Sequence, residues 1–194
     1  MQRFAKIIRG ITVPPAIVSV LLLLLYFSQD NVIPTALDLV LSLLLLALIP
    51  VLAYPLQVIV PAFRDGGQKM MRRLAFILSI MGYTAALLVS FVRGAVPNLV
   101  YIDAVYLCSV AVLTILNLCT PWHASGHACS IVGPIALLAC FMGWVALAVG
   151  AVVVLLSFWS SVYLRRHTVR EYLLGAISPL VSAALMYPLF LPTF

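Results

Sequence analysis

Of the 194 residues in this chain, 65% are hydrophobic and only 8% are charged. Soluble globular domains carry about 25% charged residues, so a soluble globular protein is excluded and the lipid bilayer is the expected solvent and partner. The formal net charge of +6 does not indicate nucleic-acid binding, because the positive residues form short clusters between apolar runs.

The apolar runs are long and unbroken, as in Leu21–Leu25 and Leu43–Leu46. In hydrocarbon every backbone polar group must be satisfied internally, which allows only helices or a closed barrel. Barrel strands would show short segments of alternating polarity, and these runs do not alternate. The sequence therefore predicts an all-α polytopic bundle of six to seven spans, forming a single integral membrane domain over residues 1–194.

A helix needs about 20 residues to cross the hydrocarbon, within a range of about 17–25. The polar interruptions divide the chain into seven candidate spans, which are 11–27, 35–60, 74–92, 98–119, 129–146, 149–164 and 171–191. Pro50 and Pro55 predict a kink or an early end in the second candidate. The boundary between the fifth and sixth candidates carries the weakest signal, which consists of Gly143, Trp144 and Gly150.

The basic residues predict the orientation of the chain. With seven spans, ten of the eleven Lys and Arg residues fall on one side, and the opposite side receives only Arg93. The ten are Arg3, Lys6, Arg9, Arg64, Lys69, Arg72, Arg73, Arg165, Arg166 and Arg170. The positive-inside rule then places this side and the N-terminus in the cytoplasm, with the protein in the plasma membrane. No small-residue cleavage site follows the first apolar run, so we expect a retained span and not a signal peptide.

The three histidines of the chain, His123, His127 and His167, all lie in two of the loops on this side. Ser125-Gly126 precedes an apolar run, which places a hydroxyl and backbone N–H groups at a helix start, where anions bind. Glu171 follows His167 by four residues, so on a helix face its carboxylate would orient the imidazole and favour its cationic form. His127 would then serve as a proton donor.

A third loop on the same side, residues 63–73, is strongly basic. Its Lys69, Arg72 and Arg73 are suited to neutralising an anion with several oxygens, since Arg donates two parallel hydrogen bonds. Together the three loops supply a cationic clamp, a nucleophile and an acid, which are the groups needed for displacement at a phosphoryl group.

Two of these segments resemble signature motifs of the type 2 phosphatidic acid phosphatase superfamily, a group of membrane lipid phosphatases. Ala124–His127 matches three of the four residues of the second motif, Pro-Ser-Gly-His. Ser160–Glu171 has the spacing of the third motif, which reads Ser-Arg, five residues, His, three residues, Asp. Gly175 also fits, because members of the family often show a glycine shortly after the acid. The basic loop would take the place of the first motif.

The resemblance implies hydrolysis of a lipid phosphate or diphosphate, with isoprenoid phosphates as a candidate class, without a metal or other cofactor. His167 would be the nucleophile that forms a phosphohistidine, and Glu171 would orient it. His127 would protonate the leaving oxygen, while Ser125 and Gly126 would bind phosphate oxygens.

The chain departs from the family at Ser161, which stands where the family has a phosphate-binding arginine. Arg165 lies one helical turn further along, so we expect it to reach the same phosphate oxygen. The loss of one oxyanion donor costs about 2.7–4 kcal/mol of transition-state stabilisation. The alternative function is therefore a non-catalytic lipid-phosphate-binding or assembly protein on the same scaffold.

Metal binding is the other rival hypothesis. His123 and His127 are four residues apart, and His167 or Cys129 would complete a site. The sequence has no His-Glu-x-x-His pattern and no acidic residue in that loop, so we predict no metal. The four cysteines show no close pairing and are interpreted as small core residues. The sequence carries no signal of an oligomeric state.

Overall fold

The computed structural model describes residues 1–64, 66–121 and 123–191, without the side chains of Ala62, Gln68 and Lys69. Within these ranges all regular structure is helical, which confirms the all-α prediction. In chain order the helices are α1 (Gln2–Ile11), α2 (Pro14–Ser28), α3 (Ala36–Ser42), a π-helical segment (Leu43–Leu48), α4 (Ile49–Val51), α5 (Ala53–Ile59), α6 (Pro61–Arg64), α7 (Gly67–Arg93), α8 (Pro97–Cys119), α9 (Gly126–Met142), α10 (Trp144–Tyr163) and α11 (Val169–Phe190).

Four helices are long and apolar enough to cross a membrane, by their length and composition. They are Met70–Arg93 within α7, and the whole of α8, α10 and α11. Two bent pairs, α1 with α2 and α3–α4 with α5, raise the number of candidate spans among the described residues to six. Large apolar side chains such as Val92, Leu118 and Trp144 are more than 80% exposed, as expected of groups that face lipid. The chain is an integral membrane protein in its composition and architecture.

The second candidate span is bent, as its prolines predicted. The helix axis turns by 41° between Val51 and Ala53, at a break flanked by Pro50 and Pro55. Proline removes a backbone donor and its ring displaces the preceding turn, which accounts for a break at this position. The π-helical segment lies just before the bend and packs against α7 at Gly82, where a Cβ would overlap the carbonyl oxygen of Leu45.

The boundary between α9 and α10 lies a few residues before the predicted one. Gly143 separates the two helices with a φ of 75°, a left-handed value that a side chain would strain. The turn therefore forms at the glycine itself, and the following Trp144 already belongs to α10. As a result α9 has only 17 residues, fewer than each of the four helices that are long enough by themselves to cross a membrane.

An N-terminal helix was not predicted. Residues before the first candidate span form α1, which meets α2 at an angle of 50°. Pro14 and Pro15 explain the break, because proline is favoured in the first turn of a new helix and disfavoured inside an existing one. The ring of Phe4 packs against Trp159 of α10, with the ring centroids 6.0 Å apart. The start of the chain is thereby held against the end of α10.

Side-chain contacts define two ends of the bundle. At one, the Arg93 end, Arg93 pairs with Asp38 at 3.2 Å, and the Asn98 side chain donates to the carbonyl of Asn31 at 2.9 Å. At the opposite, histidine end, α1 meets the end of α10, and the start of α9 meets the start of α11. Successive long helices therefore run in alternating directions, and the predicted cytoplasmic loops meet at the histidine end.

The most buried stretch of α8 forms the centre of the bundle. Its residues Tyr101, Ile102 and Val105 are at most 2% exposed and belong to one apolar cluster with Leu25 of α2 and Leu137 of α9. α7 packs on one side of α8, and α11 packs on another. This common packing partner fixes the positions of the helices whose ends carry the candidate site.

Candidate functional site

The two histidine-bearing segments lie against each other at the histidine end. The backbone N–H of Ser125 donates to the carbonyl of Glu171 at 2.9 Å. Gly175, one turn further along α11, has no side chain, and a Cβ there would overlap the Ser125 carbonyl oxygen. The absence of a side chain at Gly175 therefore allows the Ser125 backbone to contact α11 directly.

Ser125 is the N-cap of α9. Its hydroxyl oxygen accepts from the backbone N–H of Ala128 at 3.2 Å, and the residue is fully buried. An N-cap hydroxyl that accepts in this way still has its own hydrogen to donate. Gly126 is exposed at the first position of the helix, where backbone N–H groups have no partner within the helix. The exposed helix start at Gly126 is the kind of position where anions bind, whereas the Ser125 side chain is enclosed by the protein.

His167 and Glu171 form an ion-pair contact, with Nδ1 and Oε2 3.4 Å apart. The expectation that the two residues share a helix face was wrong. His167 precedes the helix, because α11 begins at Val169 and Thr168 is its N-cap. The Glu171 carboxylate accepts from the Thr168 N–H at 2.9 Å, and the Thr168 hydroxyl accepts from the Glu171 N–H. This capping box fixes the carboxylate next to Nδ1. Nε2 is then the ring nitrogen left for reaction with a ligand.

The pKa of His167 lies below its ordinary value of 6.5. Burial is the largest cause, since it disfavours the charged imidazolium, and the positive charges of Arg9 and Arg72 act in the same direction. The neighbouring Glu171 carboxylate and its hydrogen bond raise the pKa and partly offset these effects. His167 is therefore mainly neutral at pH 7, which is the form that a nucleophilic imidazole requires.

His127 lies in the first turn of α9. Its Nε2 is buried and has no hydrogen-bond partner among the described residues. The imidazole is close enough to Arg9 and His167 for their charges to act on it. A buried polar atom without a hydrogen-bond partner is uncommon in proteins. Nε2 of His127 is therefore a candidate contact for a polar ligand.

Arg9 of α1 is a site residue that the sequence interpretation missed. Its guanidinium donates from Nη1 to the hydroxyl oxygen of Ser161 at 3.2 Å. It also lies within electrostatic range of both His127 and His167. The sequence had indicated only a basic cluster for orientation, and nothing in its spacing connects residue 9 with residue 161.

For the other predicted phosphate-binding residues, the structure shows no direct contact with His127 or His167 among the described side chains. Arg72 has an exposed side chain but acts electrostatically on His167, and Arg73 beside it is exposed. The Lys69 side chain lies outside the described residues. Arg165 does not continue the helix face of Ser161, because α10 ends at Tyr163 and Arg165 follows in a left-handed turn with a φ of 50°. The expected approach of Arg165 to the position of Ser161 along one helix was wrong.

The described residues provide no group of three or more His, Cys, Asp or Glu side chains that could hold a metal ion. His123, which the metal hypothesis required, has an exposed side chain. In the described part of this end, the groups available for chemistry are imidazoles, guanidinium groups, a hydroxyl and the Glu171 carboxylate.

Comparisons with known proteins give no further assignment. Neither the family models, nor the curated proteins, nor the solved structures contain a match to this chain.

Gly175→Ala tests the contact that joins the two segments. The added Cβ must displace either the Ser125 backbone or α11, and overpacking of this kind costs about 1–3 kcal/mol. We expect a clear fall in Tm in detergent. Gly10→Ala is the matched control, because a Cβ at Gly10 meets nothing within 4 Å. Equal Tm values for the two variants would contradict the close packing.

The titration of His167 tests its surroundings. We expect an imidazole midpoint below about 6.5 in NMR spectra of the detergent-solubilised protein. Glu171→Gln should lower this midpoint further, because the variant loses the charge that favours the imidazolium while its amide oxygen can still accept from Thr168. A midpoint that rises in Glu171→Gln would show that the carboxylate does not act on His167.

Proposed function

We propose that the protein is a membrane lipid phosphatase that hydrolyses a lipid phosphate or diphosphate through a phosphohistidine intermediate. The observation that carries this proposal is the meeting of two imidazoles and a guanidinium at one end of an apolar helix bundle. Among the four described acidic residues, Glu171 alone belongs to this end, and it is already paired with His167. A multiply charged anion would balance the charges that remain.

The reaction begins with attack on phosphorus by Nε2 of His167, whose Nδ1 faces Glu171. The bond between phosphorus and the lipid oxygen breaks, and His127 protonates that oxygen as it leaves. The imidazole of His127 takes up this proton when the phosphate binds, because an adjacent anion stabilises its protonated form. Water then attacks the phosphohistidine, His127 accepts a proton from the water, and phosphate and neutral His167 are released.

Ser125 and Gly126 bind phosphate oxygens in this mechanism, and the bound phosphate recruits the basic residues of α7. The exposed position of Arg72 and Arg73 suits a group that reaches the phosphate from the aqueous side. Lys69 would act with them. Arg165, in its left-handed turn, would contribute at longer range through its charge.

The substrate is proposed to be a lipid because the site lies at the end of apolar helices, at the depth expected for headgroups. Isoprenoid phosphates are the class implied by the motif resemblance. We also propose seven passes, with the 17-residue α9 as one of them, and a cytoplasmic N-terminus and site in the plasma membrane. The support for this orientation is the excess of ten basic residues at the histidine end over one, Arg93, at the other.

A non-catalytic lipid-phosphate-binding or assembly function is the second candidate. Two observations favour it. Ser161 cannot supply the charge of the family's arginine, and the Glu171 carboxylate is shared between His167 and the N–H of Thr168. A binder would use the same anion site without turnover.

His167→Ala in proteoliposomes tests the enzymatic proposal. We expect phosphate release from phosphatidate or a polyprenyl diphosphate to fall by about 10³-fold or more, because the nucleophile is lost. His127→Ala should lower it by about 10²–10⁴-fold as the acid is lost. His123→Ala is the matched control and should retain the wild-type rate.

EDTA should leave the wild-type rate unchanged. Loss of activity with EDTA would point to a metal enzyme instead. Tight binding without turnover on the whole lipid panel would favour the non-catalytic function, and an unchanged rate in His167→Ala would contradict the phosphohistidine mechanism.

A further inference from the structure

The N-terminal helix α1 has three distinct faces. Ala5, Ile8 and Thr12 are buried against the protein, whereas Phe4 and Ile7 are more than half exposed. The third face carries the exposed polar residues Gln2, Arg3 and Lys6. A helix with one apolar exposed face and one basic face is typical of the membrane interface. α1 is therefore placed to lie at the headgroup level beside the candidate site.

Arg9 lies at the border between the buried face and the basic face of α1. Its side chain is partly buried and extends towards Ser161, whose side chain is fully buried. The hydrogen bond between them fixes the guanidinium against α10, although the two residues are 152 positions apart in sequence. One donor is used in this contact, and a guanidinium has five N–H donors.

Arg166, His127 and His167 all lie within electrostatic range of Arg9, and Arg166 is a second guanidinium cation. Among the described residues no carboxylate pairs with Arg9, since the two carboxylate pairs found are Arg93–Asp38 and His167–Glu171. A partly buried cation beside a second cation is unfavourable unless an anion is bound there.

We propose that Arg9 is the principal phosphate-binding residue of this site, held in place by Ser161 and delivered by an interfacial helix from the start of the chain. This inference deepens the proposed function and rests on it only for the identity of the ligand. Arg9 donates two parallel hydrogen bonds to phosphate oxygens between the two imidazoles. Ser161 then acts as a positioning residue for this guanidinium, and a charge at position 161 itself is not required.

Binding of an alkyl phosphonate, which cannot be hydrolysed, tests the proposal in micelles. Arg9→Ala should weaken the Kd by about 10- to 100-fold, the loss expected for hydrogen bonds from a charged group. Arg9→Gln should give a similar loss, because it removes the charge and its amide donor ends two bonds short of the position of Nη1. Arg3→Ala is the matched control on the same helix and should bind like the wild type.

The double variant Arg9→Ala with Ser161→Arg provides a rescue. The new side chain begins at the atom that Arg9 contacts and enters the space that Arg9 leaves, so we expect most of the affinity to return. Rescue would not occur if Arg9 served only to attach α1 to α10. Arg9→Lys should recover part of the affinity, since a single ammonium replaces the forked donor.

The outcomes separate this inference from the enzymatic proposal. Binding that depends on Arg9 without any turnover would support the inference and contradict the phosphatase. Turnover with equal Kd and KM in wild type, Arg9→Ala and Arg9→Gln would overturn the inference and leave the phosphatase standing. An equal loss in Arg9→Ala and Arg3→Ala, or a wild type that does not bind the phosphonate, would also overturn it. Inorganic phosphate in place of the phosphonate shows whether the lipid chain is needed for binding.

Discussion

The contact between the Ser125 backbone and α11 at Gly175 is the constraint on which the site depends. The Ser125 N–H is bonded to the Glu171 carbonyl at 2.9 Å, and no side chain separates the two segments at Gly175. Through this contact the first turn of α9, with His127, is fixed beside the capped start of α11 and the adjoining His167. Looser packing here would move His127 away from His167, and the proposed function requires both imidazoles to reach one ligand.

The bilayer explains why this end of the molecule remains electrostatically unbalanced. Apolar helices cannot carry charges along their length, so basic groups collect where the helices end and reach the headgroup layer. Among the described acidic residues, Asp38 pairs with Arg93 at the opposite end and Asp103 accepts a hydrogen bond from Ser90 there, whereas Glu171 lies at the histidine end. An excess of fixed positive groups over the described carboxylates would favour an anion from outside, and in the proposed function the two histidines would act on that anion.

Structural features that depend on a single segment of the chain were predicted correctly from the sequence. Apolar run length and proline positions located the helices and the bend near Pro50, since both act within one segment. The α9–α10 turn was misplaced because Gly143 is a single residue in a continuous apolar stretch. Arg9 could not be predicted, since its contact with Ser161 depends on how α1 folds back on α10. The predicted end of the sixth span at residue 164 agrees with the end of α10 at Tyr163, but the left-handed turn at Arg165 was not predicted, so Arg165 was wrongly expected to continue the helix face of Ser161.

An orthovanadate titration followed by imidazole NMR tests the central claim most directly, namely that His127 and His167 share one anion site. Vanadate mimics the phosphoryl group and reports on binding without turnover. We expect the signals of both histidines to shift together and to saturate with a single Kd, while the signal of His123 does not respond. Shifts confined to one of the two histidines, or two different Kd values, would contradict it.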